Sequence, residues 1–73
     1  MTGMTSDVRI SLRAARVNAG LTQKKASDML RIGTSTLQGY ENGRRIPRWD
    51  LVERMQRLYG IDSANLFLSA DIA

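Results

Sequence analysis

The chain has 73 residues, no Cys and no His, and eleven Lys and Arg against seven Asp and Glu, for a formal charge of +4. That composition removes disulfide staples, thiol nucleophiles and the usual zinc ligands, and leaves one domain near the lower size at which a single core sustains folding unaided. No apolar run approaches the roughly 20 residues of a bilayer span, and the opening MTGMTS has neither the basic flank nor the apolar core of a secretory signal, so the expectation is a cytoplasmic protein.

The first helical pattern runs from about Asp7 to Ala19. Val8, Leu12, Ala15 and Ala19 recur at steps of four, three and four and form one face, with Arg9, Arg13 and Arg16 away from its centre. Gly20 stops it. Thr22 caps a second helix through its hydroxyl, with Ala26, Met29 and Leu30 turned inward. Arg31-Ile32-Gly33 leaves room only for a tight change of direction, and Thr34 to Glu41 reads as a third helix attached to the core by Leu37 and Tyr40. Asn42-Gly43 ends it with residues that tolerate left-handed geometry.

The basic link Arg44-Arg45-Ile46-Pro47-Arg48 follows, and Pro47 favours a new helix start. Leu51, Val52, Met55, Leu58 and Tyr59 supply the inward face of helix four, which Gly60 closes. Trp49 is expected to seal that helix against the core or to enter an interface. Ile61 and Leu66 bracket Asp62 as a hydrophobic staple and introduce a fifth helix from Ser63 to about Leu68. Its Leu66, Phe67 and Leu68 are too many apolar residues for one narrow face, so they cover either the core or a second subunit. Scattered β-branched residues argue against strands. The expected fold is all-α, a compact bundle of four to five helices over residues 7–68, with short terminal extensions 1–6 and 69–73.

Nine of the eleven basic residues lie between Arg9 and Arg48, and a cationic surface draws polyanions, which makes nucleic acid the first partner to consider. Two short helices joined by a tight turn form a unit whose second helix fits a major groove. Thr34, Ser35 and Gln38 offer the hydroxyls and amide that read base edges there. Gln23 lies among the amide donors that bind a phosphate at a helix start, and Asn42, Arg44 and Arg45 meet the backbone from the opposite side. Taken singly, a Thr-Ser-Thr run is an ordinary helix start and an Asn-Gly an ordinary turn. The combination at these spacings carries the reading.

The segment LTQKKASDMLRIGTSTLQGYENGRRIP, residues 21–47, resembles the lambda Cro and C1 repressor family of helix-turn-helix proteins, the XRE-type regulators. Leu21-Thr22-Gln23, Ser35-Thr36-Leu37, Tyr40-Glu41, Gly43 and Pro47 stand where that pattern expects them. The likeness extends over the flanking helices, from about Val8 to Leu68. It implies a lambda repressor-like DNA-binding domain in which Gln23 contacts a phosphate and sets register, Thr34 and Ser35 meet base edges, and Asn42 and Arg44 hold the backbone. It also implies a structural ion pair, Arg16 with Glu41, joining helix one to the end of helix three.

Several positions depart from that pattern. Arg31 stands where Gly is common, Gly33 where a hydroxyl cap is common, and Gly39 where a longer side chain often reaches a base or phosphate. The base-reading surface is therefore sparse, which gives shape readout a larger share. Lys24 and Lys25 replace residues that are often acidic and favour a nearby DNA backbone, with Lys24 joining the phosphate-contacting set.

The leading expectation is a sequence-specific, double-stranded DNA-binding transcriptional regulator, most often a repressor, acting as a homodimer on an inverted repeat with half-sites about one helical turn apart. Binding over a promoter excludes RNA polymerase, whereas a polymerase contact beside it activates, and the sequence does not fix that sign. Leu66 and Phe67 are assigned to the dimer surface from their exposed hydrophobicity and the family's habit. The alternative is an antitoxin or other protein-interaction module on the same fold, with a toxin as the antitoxin's contact, although the SADIA after Leu68 leaves little tail for a toxin. No close carboxylate pair, nucleophile, metal-ligand spacing or Walker loop supports an enzyme, a metal or a cofactor.

Overall fold

A computed structural model describes residues 9–67. In chain order it holds β1 (Ile10–Ser11), α1 (Leu12–Asn18), α2 (Gln23–Leu30), α3 (Thr34–Glu41) and α4 (Trp49–Tyr59), then a 3-10 turn at Ser63–Asn65 and β2 (Leu66–Phe67). The helices enclose a core of Leu12, Ala15, Ala26, Leu30, Leu37, Leu51, Met55, Tyr59 and Leu66. Among the described residues no helix is long and apolar enough to cross a membrane.

Local chemistry sets the helix ends. The Ser11 hydroxyl accepts from the Ala14 amide at 3.0 Å, and the Thr22 hydroxyl accepts from the Lys25 amide at 3.1 Å. Each such cap contributes on the order of 1 kcal/mol. α3 has no side-chain cap, because its N-cap residue is Gly33. Eight residues without a cap are too few to be helical alone, so α3 is held by burial of Leu37 and by its contacts with α2.

The turn between α2 and α3 is made by Arg31 in the left-handed region, at φ 60 and ψ 44. The amides of Arg31 and Ile32 donate to the carbonyls of Asp28 and Ser27 at 3.2 and 3.0 Å. A side chain in that conformation costs about 1 kcal/mol relative to Gly. The turn also receives Arg54 of α4, whose Nη1 donates to the Leu30 carbonyl at 3.0 Å.

The structure corrects several expectations. Helix one begins at Leu12, because Ser11 caps it and Ile10–Ser11 is extended; Asp7 and Val8 lie outside the described residues. Ala19 and Met29 are exposed, while Arg16 and Ser27 are buried. Ser27 can be buried because its hydroxyl donates to the Lys24 carbonyl at 2.9 Å and shares a hydrogen bond with Thr34 Oγ1 at 3.2 Å. Trp49 does not seal α4; it is exposed at the first position of the helix.

The fifth helix is replaced by the 3-10 turn and β2. The strand pairs in parallel with β1, Ile10 beside Leu66 and Ser11 beside Phe67. This extended end carries Leu66 into the core, where it is 2% exposed. Of the two places open to it, Leu66 covers this domain's own core, not the surface for a second subunit. Leu68 lies outside the described residues.

Candidate nucleic-acid interface

α3 is divided lengthwise by its side chains. Leu37 is buried and Tyr40 half-buried, while Ser35 and Gln38, three residues apart and therefore on one side, are exposed. Thr34 and Thr36 are half-buried. Thr34 is tied to Ser27 of α2, so its hydroxyl sits at the joint of the two helices rather than at the outermost point of the face.

A buried ion pair stands behind this face. Arg16 Nε donates to Glu41 Oε2 at 2.8 Å and Nη2 to Glu41 Oε1 at 3.3 Å, and Nη1 donates to the Leu21 carbonyl at 2.8 Å. One guanidinium thus joins α1, the approach to α2 and the end of α3. The same carboxylate accepts from Gln23 Nε2 at 3.1 Å, and Gln23 Oε1 accepts from Gln38 Nε2 at 3.2 Å. The chain of contacts runs from the buried pair to the exposed face, and it fixes which end of the Gln23 amide points to each neighbour. That polarity matters, because amide N and O differ in what they can offer a ligand.

Tyr59 of α4 senses this pair. Burial first, and the Glu41 charge second, push its pKa from 10.0 up to about 12, with Arg16 pulling the other way. Its hydroxyl is buried without a hydrogen-bond partner among the described residues.

The other candidate phosphate contacts lie on α2 and in the link after α3. Lys24 is exposed and pairs with Asp28 one turn along α2 at 3.2 Å. Asn42, Arg44 and Arg45 are exposed after α3. Gly43, at φ 82, turns the backbone there, and the amides of Arg44 and Arg45 both donate to the Gly39 carbonyl at 2.9 and 3.2 Å. The basic link is thereby folded against the end of α3. The sequence reading missed the Gln23 to Gln38 contact and the closeness of Arg45 to Gly39, since neither joins residues at a helical spacing. Among the described residues no group of three or more His, Cys, Asp and Glu could hold a metal ion.

Comparison with known proteins adds to this geometry. A family model described as a helix-turn-helix domain matches residues 8–66. Over 52 residues, 71% of the chain, it is 38% identical to the HTH-type transcriptional regulator ImmR of Bacillus subtilis (strain 168), covering 41% of that protein. Over 55 residues, 75% of the chain, it is 31% identical to the cryptic phage CTXphi transcriptional repressor RstR of Vibrio cholerae, covering 50% of that protein. The chain spans half or less of the length of these curated relatives. No solved structure matches it significantly.

Proposed function

The chain belongs to the helix-turn-helix domain family, and on that premise we propose that it is a sequence-specific, double-stranded DNA-binding transcriptional regulator, a Cro/C1-type repressor that binds an inverted-repeat operator as a homodimer. The observation that carries this reading is the exposed side of α3. Ser35 and Gln38 face outward from a helix whose opposite side is locked down by Leu37 and by the Arg16–Glu41 pair.

In the proposed mechanism α3 enters the major groove. Ser35, Gln38 and the rim residue Thr34 meet base edges, and Gln23, Lys24, Asn42 and Arg44 hold the flanking phosphates. Phosphate contacts supply affinity and orientation, and the base contacts supply discrimination. Gln23 serves both tasks, because it lies between the buried Glu41 and the exposed Gln38. The similarity to two proteins named as a transcriptional regulator and a transcriptional repressor supports the regulatory part of the reading.

One module of this size offers few base contacts, which favours two copies on a two-fold symmetric site. With Leu66 in the core, the proposed dimer surface rests on Phe67. Binding over a promoter would then exclude RNA polymerase. Selection from random duplex DNA, with the bound pool sequenced at a fixed salt concentration, tests this directly. Enrichment of an inverted repeat is the expected result; folded protein that enriches no motif would contradict it.

A further inference from the structure

Position 39 lacks a side chain on the reading side of α3, and the space is filled from outside the helix. Gly39 lies four residues after Ser35, so the two stack on one side of α3. Ser35 is exposed, yet Gly39 is buried. Its cover is Arg45. A Cβ built on Gly39 would lie 3.3 Å from Arg45 Cδ, 3.4 Å from Cγ and 3.6 Å from Nε. The hydrogen bonds that the Arg44 and Arg45 amides donate to the Gly39 carbonyl fix the root of that side chain beside the helix.

We propose that Arg45 is a specificity-determining residue, its stem laid over Gly39 on the side of α3 that carries Ser35, so that its guanidinium reads a guanine edge in place of the side chain that α3 lacks at position 39. This rests on the DNA-binding reading above, and it moves Arg45 from the phosphate-contacting set to the base-reading one. A phosphate contact needs only a cation near the backbone and is indifferent to what occupies position 39. Bidentate pairing to guanine O6 and N7 needs the planar fork at a fixed place and angle. The bare surface of Gly39 seats the arginine stem that carries this fork, because a Cβ there would lie 3.3 Å from Cδ and the stem would have to give by a few tenths of an ångström.

The test uses the full chain in random-duplex selection, then the enriched duplex and its single-base-pair variants as probes. Arg45→Ala is expected to remove the preference for guanine at one base pair of each half-site, a loss of about ten- to a hundredfold on the enriched duplex. Arg45→Lys keeps the charge and the salt dependence but lacks the fork, and loses most of the same preference. Gly39→Ala removes no contact and favours the helix, yet is expected to lose preference at that same base pair, with no further loss when combined with Arg45→Ala. Thermal melts of each variant establish that it is folded. Two results would overturn the inference: Arg45→Ala weakening all sequences equally while lowering the salt slope by about one, as a phosphate contact does, or Gly39→Ala leaving the motif intact. A wild-type chain that enriches no motif would instead bring down the DNA-reading proposal, and this inference with it.

Discussion

Two ion pairs in this chain have the same kind of partners and opposite consequences. Arg16 and Glu41 meet at 2.8 Å with side chains 8% and 2% exposed, whereas Lys24 and Asp28 meet at 3.2 Å with side chains 77% and 59% exposed. In water, attraction between Lys24 and Asp28 is offset by hydration and side-chain entropy, and such a helix pair contributes about 0.3–0.5 kcal/mol. Arg16 and Glu41 have little access to water, so each requires the other. What burial adds is position: the hidden pair holds α1, α2 and α3 in register and orients Gln23, while the surface pair leaves Lys24 exposed to solvent.

The contrast breaks most visibly when the buried pair is cut from one side. Glu41→Ala leaves a guanidinium uncompensated and is expected to cost about 3–5 kcal/mol, a large part of a small domain's stability, as read by thermal or denaturant melts. Replacing both partners, Arg16→Met with Glu41→Leu, removes the charges together. Most of the lost stability should return, and a double variant as unstable as the single one would show that the pair's net attraction outweighs its desolvation.

Tyr59 sharpens the comparison through pH. A phenol whose pKa is higher in the folded protein favours the folded state while neutral. That contribution is fully present below the unfolded value of 10.0 and is lost as pH rises toward about 12. Tyr59→Phe removes a hydroxyl with no partner and keeps the ring, so below pH 10 the two chains should differ by less than about 1 kcal/mol. Melts at increasing alkalinity should show the wild type falling further than the Phe variant; parallel declines would contradict the shift.

The smallest effect belongs to the surface pair. Asp28→Asn should change stability by less than about 0.5 kcal/mol, and the difference should vanish near 1 M salt, where screening acts over about 3 Å. Duplex DNA affinity at low salt should tighten, since a negative charge beside Lys24 has gone.

Helices α1, α2 and α4 were legible in the sequence because their core residues recur at helical spacing, Leu12 with Ala15, Ala26 with Leu30, and Leu51 with Met55 and Tyr59, and α3 by Leu37 with the half-buried Tyr40 three residues on. The Thr22 cap was legible for the same local reason. What depended on a distant partner was not. Periodicity put Met29 inside and left out Ser27, whose buried hydroxyl bonds to Lys24 of its own helix and also meets Thr34 on the next. It also set Arg16 off the inward face, since the Glu41 that makes its burial tolerable lies 25 residues away, and only the family resemblance paired them. Leu66 and Phe67 suggested a helix, but a two-residue strand is too short to show alternation and needs Ile10–Ser11 to exist. In the candidate site, Ser35 and Gln38 could be picked out by residue type and position, whereas the seat of Arg45 on Gly39 exists only once the link folds back.

The most direct test of sequence reading by α3 is competition between the selected duplex and a shuffled duplex of the same length, for the wild-type chain, at about 50 and 200 mM salt. Both affinities should fall as salt rises, while the preference for the selected duplex stays at about a thousandfold or more. A preference near one at both salt levels would mean that a cationic surface is merely meeting a polyanion, and would contradict a base-reading helix.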